Sequence, residues 1–410
     1  MMPLSLANVL HHKLSSTLSA VGIGIGVCMM ITLTGLTRGS LYEVARRWES
    51  VDADLIVYPK LREDVSMLTG SGLSDRWARE LVKQTDGAVE SVTPVFFWRM
   101  KLAGQDQTVA GVLDDDLPVV AGRVEPRAGR ARFEPKESWS DFMASLEAEQ
   151  RAAWIEKYGN DSSFVLDPSP DRLLQAGWME LIIDDRLARA GKLEVGQTVS
   201  AAGHRWQIVG IVPAGGLARV YMPRRTAQLL FAGGAEKSTV LFVSVAESAA
   251  VQAVADRIAE LTDQQARPLG SYRALLEDKF QVMFVYIDVV NILAMGIAFL
   301  FIMVTLYTMV LQRTRDIAIL KSSGASSGYI LRQVMSEALI LTSAGAAVGV
   351  ALSFVGAWVI HRHKPLLTVE ITGQWIALGL LCAVLGAMVS ALYPAWRATR
   401  VDMLSALTYE

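Results

Sequence analysis

Four uninterrupted apolar runs constrain this chain more than any other feature of its sequence. They cover roughly residues 17–37, 289–311, 334–360 and 374–396. The hydrocarbon core of a bilayer takes about 20 apolar residues of α-helix to cross. Because lipid offers no partner to an exposed backbone amide, each run must satisfy its hydrogen bonds within a helix. The sequence therefore predicts four membrane-spanning helices.

The remainder of the chain has the composition of a water-exposed domain. The 410 residues are 52% hydrophobic and 20% charged. This is too apolar for an ordinary soluble enzyme and too polar for a bundle that lies wholly in lipid. Most charges fall between about residue 40 and residue 283, so the large domain lies between the first and second runs. The net charge of −2, without a basic tract, does not indicate nucleic-acid binding.

Lysine and arginine near the ends of the spans indicate the orientation, because cytoplasmic loops carry an excess of both. One side would hold both termini and the loop at 312–332, and the other side residues 40–283. The basic residues of the first side are Lys13, Arg313, Arg315, Lys321, Arg332, Arg397 and Arg400, against Arg38, Arg46, Arg47 and the run HRHK at 361–364. We therefore place the first side in the cytoplasm. The first run has no A-x-A-like cleavage site, so we interpret it as an uncleaved anchor.

Residues 40–283 show two patterns. The runs ADLIVYP (53–59), SVTPVFFWRMKL (91–102) and QTVAGVL (107–113) carry the β-branched and aromatic residues typical of strands. A helical pattern between the first two runs makes an α+β domain the expected class. The stretch at about 114–214 has short strand patterns with glycine turns, which indicates a β-rich module inserted into the first.

One segment of this domain has an apolar helical face. In ESWSDFMASLEAEQRAAWIEKYG (137–159), Trp139, Phe142 and Trp154 fall with other apolar residues mostly at three- and four-residue spacings. Such a face either packs on its own domain or forms a surface for a partner or cargo. The sequence leaves both interpretations open.

Small and polar residues inside the spans bear on helix packing. Gly22 and Gly26 have the G-x-x-x-G spacing that lets two membrane helices approach closely. Asp288 and Asn291 stand where the second span begins. They either lie at the solvated interface or face a polar path between helices.

Catalytic chemistry is not indicated. The two cysteines, Cys28 and Cys382, fall in separate spans and are too isolated for a redox or zinc motif. No G-x-x-x-x-G-K-[ST] sequence occurs, so the chain does not itself bind ATP by a P-loop. We therefore expect no catalytic residue, no metal site and no cofactor bound by this chain.

The loop between the second and third runs, QRTRDIAILKSSGASSGYILR (312–332), is more than a connector. It predicts a short helix with Asp316 early and Lys321 late, which suits the helix dipole. Gly324 follows at the position where many helices end in a left-handed residue. Two helices that meet at a glycine form a firm cytoplasmic knob, whereas a plain amphipathic connector would only rest on the membrane.

These residues also carry a resemblance to a known family. QRTRDIAILKSSGASSGYILRQVMSEALIL resembles the cytoplasmic segment of the MacB/FtsX-type (type VII, mechanotransmission) ABC transporter permeases, with Asp316 where glutamate is usual. PLSLANVLHHKLSSTLSAVGIGIGVCM resembles the family's interfacial N-terminal helix and first span. IDDRLARAGKLEVGQTVSAAGHRWQIVGIV resembles its inserted external subdomain, and ALYPAWRATRVDMLSAL its closing signature, with Met403 in place of the usual proline. The four motifs follow the family's order and extend over nearly the whole chain.

The resemblance implies a permease subunit without ATPase activity of its own, in a bacterial inner membrane. It would pair with a second copy or a related permease and bind two copies of a separate ABC ATPase, which holds ATP and Mg. The knob would be a coupling helix, and its contacts with the ATPase would be Arg315, Asp316, Ile319, Lys321, Gly324 and Ala325. A periplasmic adaptor or lipoprotein is a further candidate partner, lipids surround the spans, and no nucleic acid is expected.

The expected architecture is an α-helical membrane domain of four spans with a large α+β extracytoplasmic domain of two modules, a MacB-like porter and the inserted β-rich subdomain. The expected segments are an interfacial helix (1–16), the four spans (17–38, 284–311, 333–360 and 374–396), the periplasmic domain (39–283), the coupling segment (312–332), a short external loop (361–373) and a cytoplasmic tail (397–410).

Two functions of the family remain open. ATP-driven movements of the external domain would export or extract a periplasmic or membrane cargo, such as a lipid, lipoprotein, peptide or small molecule. Alternatively, an FtsX-like regulator would activate a periplasmic cell-wall hydrolase and transport nothing. The large, two-module external domain favours the first function, and the sequence names no cargo.

The orientation predicts which of two introduced cysteines a membrane-impermeant maleimide reaches in intact cells. With Cys28 and Cys382 replaced, Ser162→Cys should be labelled from outside, and Ser323→Cys should be protected in the cytoplasm. Lysed cells, in which both sites react, are the control. Labelling of Ser323→Cys alone in intact cells would reverse the orientation.

Overall fold

The computed structural model describes residues 13–60, 72–122, 125–134, 170–175, 177–246, 249–364 and 366–400. These fall into two compact units, Met1–Tyr42 with Glu277–Glu410 and Glu43–Leu276. The candidate partner or cargo residues Trp139, Phe142 and Trp154 lie outside the described residues.

The described helices are, in chain order, α1 (Lys13–Glu49), α2 (Arg76–Gln84), α3 (Leu117–Ala121), α4 (Pro170–Gln175), α5 (Asp185–Gly191), α6 (Arg224–Phe231), α7 (Val251–Thr262), α8 (Tyr272–Lys279), α9 (Gln281–Gln312), α10 (Thr314–Ser322), α11 (Ser327–His363) and α12 (Gly373–Thr399). The described strands are β1 (Leu55–Tyr58), β2 (Leu73–Ser74), β3 (Val89–Leu102), β4 (Gln105–Val112), β5 (Ala128–Gly129), β6 (Glu180–Asp184), β7 (Thr198–Ala201), β8 (His204–Val212), β9 (Val220–Pro223), β10 (Lys237–Ser238), β11 (Val240–Val245) and β12 (Gln265–Pro268).

Four of these helices, α1, α9, α11 and α12, are long and apolar enough to cross a membrane, which confirms the predicted helical membrane class. Each continues past its predicted run, because helical hydrogen bonding does not stop where the apolar residues stop. α11, for example, starts in the polar segment at Ser327 and ends at His363. All four helices contribute to a shared buried core that includes Ile23, Leu306 and Ala387.

Glycines let α1 approach two neighbouring helices at once. A Cβ on Gly22 would lie 3.4 Å from the ring of Phe301, and one on Gly26 would lie 3.0 Å from Ala298, so this pair faces α9. Gly24 points the other way, toward α11.

The contact between α1 and α11 is the closer of the two. A Cβ on Gly349 would lie 2.6 Å from the backbone oxygen of Gly24 and 2.8 Å from Cβ of Val27. One on Gly345 would lie 2.8 Å from the backbone oxygen of Ala20. The sequence GAAVG at 345–349 has the same G-x-x-x-G spacing as Gly22 and Gly26, and it escaped the sequence reasoning.

Hydrogen bonds between side chains also join α1 to α9. Ser19 donates to Thr305, and Asn291 donates to Thr34 over 3.0 Å. Asn291 is therefore buried between helices, whereas the neighbouring Asp288 is exposed. The two residues that the sequence treated together have different surroundings.

The second unit is built on a mixed sheet of ten described strands in the order β12-β1-β11-β3-β4-β9-β6-β8-β5, with β7 paired to β8. Neighbouring strands are antiparallel except β4–β9 and β6–β8. Strands β5 to β8, from the stretch predicted as an inserted module, therefore continue the same hydrogen-bonded sheet through β9. Helices α2 and α7 cover one part of the sheet with a core that includes Leu81 and Ile258.

The glycine contact predicts opposite outcomes for two matched substitutions. Gly349→Ala should lower the thermal stability of the detergent-solubilised protein, because an overfilled contact costs about 1–3 kcal/mol. Gly296→Ala in α9 is the control, since a Cβ there meets nothing within 4 Å. It should leave stability unchanged or raise it by up to about 1 kcal/mol. Equal melting temperatures for the two variants would contradict the close packing of α1 on α11.

Candidate functional site

The knob at 312–332 has a defined helix end. Gly324 has φ +94°, a backbone conformation that suits glycine and confirms its expected place just past the helix. Its N–H donates to the carbonyl of Lys321 over 3.0 Å, and the N–H of Ala325 donates to the carbonyl of Leu320 over 3.0 Å. This pair of bonds is a Schellman motif, which satisfies carbonyls that α10 leaves open.

The next helix, α11, begins after four residues that separate it from the end of α10. The side chain of Ser326 accepts from the backbone N–H of Tyr329 over 3.2 Å, so this serine is the N-cap of α11. The turn between α10 and α11 therefore has its backbone groups satisfied on both sides. Such a turn holds the two helices in one arrangement.

The inner face of the knob is apolar. Ile317 is buried in a cluster with Val310, Ile330 and Val334, and α12 adds Ala395 and Ala398 to it. Ala318 is also fully buried. This face packs α10 against α9, α11 and α12, as the apolar side of the predicted helix requires.

An ion pair lies at the joint between α9 and α10. Arg313, the residue between the two helices, donates to Glu337 of α11 over 3.2 Å, and the two side chains are only 14% and 7% exposed. Glu337 also accepts from Gln333 over 3.3 Å. A charged pair this buried must remain paired, because removal of one partner leaves an uncompensated charge.

Lys321 is tied to the end of another helix. Its ammonium donates to the backbone carbonyl of Thr399 over 2.7 Å. Thr399 is the last residue of α12, where carbonyls lack helical partners and a positive charge is favourable. The Lys321 ammonium is thus engaged within the chain.

The remaining residues of the predicted coupling set form an outer face. Arg315, Asp316 and Gly324 are exposed, Ile319 is 48% exposed, and Ala325 is half-buried. A cleft of about 350 Å³ opens beside them between α9, α10 and α11, and its lining includes Asp316, Ile319 and Tyr329. An apolar residue among charges on a rigid, exposed turn suits contact with a protein.

A second charged cluster lies in the sheet-containing unit and escaped the sequence reasoning. Glu43 accepts from Arg47 over 2.7 Å, from Arg219 over 3.0 Å and from Arg186 over 3.3 Å. Burial raises the pKa of the neighbouring Asp184 carboxyl and lowers the pKa of the Arg219 guanidinium. Arg47, which the sequence offered only as a charge beside the first span, instead pairs inside this unit.

Metal chemistry finds no support in the described part of the chain. No group of three or more histidine, cysteine, aspartate or glutamate side chains is arranged there to hold an ion. The described residues of the knob form a turn that is fixed at Gly324 and Ser326, with a packed inner face and an exposed outer face.

Comparison with known families gives two matches. A model described as MacB-like periplasmic core domain matches residues 16–261. A model described as FtsX-like permease C-terminal matches residues 289–403. The second match contains the knob, and the first contains every described strand of the sheet except β12.

Two relatives are named as ABC transporter permeases or as ATP-binding/permease proteins. The chain is 23% identical to the uncharacterized ABC transporter permease YknZ of Bacillus subtilis, over 99% of this chain and 98% of that protein. It is 22% identical to the macrolide export ATP-binding/permease protein MacB 1 of Aeromonas hydrophila, over 95% of this chain but 57% of that protein.

A solved structure also matches at low similarity. The crystal structure of the periplasmic region of MacB from Actinobacillus actinomycetemcomitans is 14% identical, with a TM-score of 0.35, over 56% of this chain and 94% of that one. The core-domain model alone spans more than half of this chain. This chain therefore belongs to the MacB/FtsX family of ABC transporter permeases.

Proposed function

We propose that this chain is the permease subunit that couples ATP hydrolysis by a separate ATPase to movements of its extracytoplasmic domain. The observation that carries the proposal is the knob, a capped helix–turn–helix with a packed inner face and an exposed outer face. A flexible loop would yield when pushed. A helix fixed by the Ile317 cluster and the Gly324 turn passes a displacement on.

The outer face is the proposed docking surface for the ATPase. Ile319 offers apolar area at 48% exposure, and Arg315 and Asp316 offer charges beside it. Interfaces of this kind depend on a few central anchors surrounded by weaker polar contacts. Ile319 is the proposed anchor.

The assembly follows from the family. Two permease copies, or one copy and a related permease, would bind two ATPase subunits that hold ATP and Mg. We place the complex in the bacterial inner membrane, with the knob in the cytoplasm and the sheet-containing unit outside. The match over 98% of YknZ, a relative named as a permease, supports a separate ATPase. The chain spans 57% of a relative named as an ATP-binding/permease protein.

Export or extraction of a periplasmic or membrane cargo is the proposed outcome of the movement. Among the relatives, the Aeromonas hydrophila protein is named for macrolide export and a Pseudomonas putida protein for pyoverdine export. The match to the MacB-like core over residues 16–261 supports this branch over hydrolase regulation. A lipid, lipoprotein, peptide or small molecule would be the cargo, received with or without an adaptor.

The docking surface predicts the effect of two substitutions on recruitment of the ATPase that co-purifies with the wild-type chain. Ile319→Asp places a charge at the anchor and should weaken binding about thirtyfold, as loss of a 2 kcal/mol contact does. Gly324→Val should misdirect α11, because a β-carbon in this backbone conformation is strained by roughly 1–2 kcal/mol. Affinity is measured on permease reconstituted in nanodiscs.

Gly328→Val is the matched control for Gly324→Val. A Cβ at Gly328 would meet only Oγ of Ser326, at an ordinary contact distance of 4.0 Å, and its backbone is helical, so this variant should bind as the wild type does. All variants should insert and dimerise. Wild-type recruitment by both Ile319→Asp and Gly324→Val would mean that the knob is only a connector and would sink the proposed function.

A further inference from the structure

The sequence pattern assigns Lys321 to the same group as Ile319, as a contact for the ATPase. Its surroundings differ from those of Ile319, because its ammonium donates to the Thr399 carbonyl over 2.7 Å. We propose that Lys321 and the Arg313–Glu337 pair are positioning residues that join the knob to the membrane helices, and that they are not contacts for the partner. This inference rests on the proposed function.

Both ends of α10 are tied to other helices. At its start, Arg313 pairs with Glu337 of α11 over 3.2 Å. Near its end, Lys321 donates a hydrogen bond to the backbone carbonyl of Thr399, the last residue of α12. Thr399 lies 78 residues further along the chain than Lys321, so this hydrogen bond is a tertiary contact and not part of the helix itself.

The apolar cluster fills the space between these two ties. Ile317 lies with Ile330 and Val334 of α11 and with Ala395 and Ala398 of α12. Such a cluster resists separation of the helices. Because apolar contacts are not directional, it still lets one helix slide along another. Hydrogen bonds and ion pairs are directional. Together the two polar ties fix the register of α10 against α11 and α12.

A displacement applied to the outer face would therefore reach two membrane helices. Ile319 receives it, the Arg313–Glu337 pair passes it to α11, and Lys321 passes it to α12. Loss of the Lys321 tie would leave Arg315, Asp316 and Ile319 of the outer face in place, because Lys321 does not line the cleft beside them, whereas Arg313 and Glu337 lie at its inner wall. The knob would then bind its partner and shift without moving the spans to the same extent.

The opposite assignment is that these charges contribute only to folding. A folding role and a positioning role both lower stability when the residues are removed, so stability alone does not separate them. Affinity for the ATPase and the response to ATP, measured on the same sample, do separate them. A contact residue changes the first, and a positioning residue changes the second.

The test uses the full chain in nanodiscs with the ATPase that co-purifies with it. Cys28 and Cys382 are replaced, and an environment-sensitive dye is attached to Ala253→Cys, an exposed position in α7 of the sheet-containing unit. For each variant, the dissociation constant for the ATPase and the ATP-induced change in fluorescence at saturating ATPase are measured.

The variants are chosen to survive folding. Lys321→Met keeps the length of the side chain and removes its charge, and Lys321→Arg keeps a cationic donor. The double variant Arg313→Met with Glu337→Met replaces the buried pair by apolar side chains, an exchange that folded proteins often accept. Ile319→Asp represents a contact residue.

We expect Lys321→Met and the double variant to bind the ATPase within about twofold of the wild type, because affinity resides in outer-face anchors. Their fluorescence change should fall at least about fivefold, because the coupling between the knob and the membrane helices is lost. Lys321→Arg should restore the response. Ile319→Asp should do the reverse, with weaker binding and a normal response at saturation.

Two results would overturn the inference. If Lys321→Met weakens binding as much as Ile319→Asp, Lys321 is a contact. If Lys321→Met and the double variant keep both the affinity for the ATPase and the fluorescence response, these interactions do not transmit the displacement to the membrane helices. Should the double variant fail to insert, the comparison of Lys321→Met with Lys321→Arg decides alone. Normal binding by Ile319→Asp would instead refute Ile319 as the anchor, and normal binding by Gly324→Val as well would refute the proposed function.

Discussion

The membrane part of this protein depends on the close approach of α1 to two neighbours. Dispersion and hydrogen bonds, rather than the hydrophobic effect, hold helices together in lipid, so the backbones must come near each other. Gly24 and Gly349 allow this on one side of α1, and Gly22 and Gly26 allow it on the other. The hydrogen bond from Asn291 to Thr34 adds a directional contact on the α9 side. The same helix continues without a break to Glu49, where it carries Glu43, Arg47 and Trp48 into the sheet-containing unit.

The knob is the second rigid part of the membrane unit. Its turn is fixed by the backbone conformation of Gly324 and by the cap at Ser326, and its inner face is packed on three membrane helices. We propose that the ATPase pushes on Ile319. The Arg313–Glu337 pair then passes the displacement to α11, and Lys321 passes it to α12. Each step uses an interaction that resists deformation.

The sequence predicts features that local pattern determines, and it misses those that depend on distant partners. The four spans follow from runs of apolar residues, and the turn at Gly324 follows from a short helix that ends in glycine. The hydrogen bond from Lys321 to Thr399 could not be predicted, because the two residues lie 78 positions apart in the chain. The cluster around Glu43 unites residues from α1, α5 and the segment before β9, and no local spacing indicates that they meet. The parallel pairing of β4 with β9 is likewise a product of topology.

The central claim is that ATP in the partner moves the extracytoplasmic domain of this chain, and one distance measures that directly. Spin labels on Ala253→Cys, in a background without Cys28 and Cys382, report the separation between the two copies in a complex of permease and ATPase reconstituted in nanodiscs. Double electron–electron resonance measures this distance in the nucleotide-free complex and in a complex trapped in the ATP-bound state. The account predicts that the distance distribution shifts by several ångströms, a change on the order of a domain rearrangement upon binding. A distribution that is identical in the two states, in a complex whose ATPase is occupied, would contradict the account.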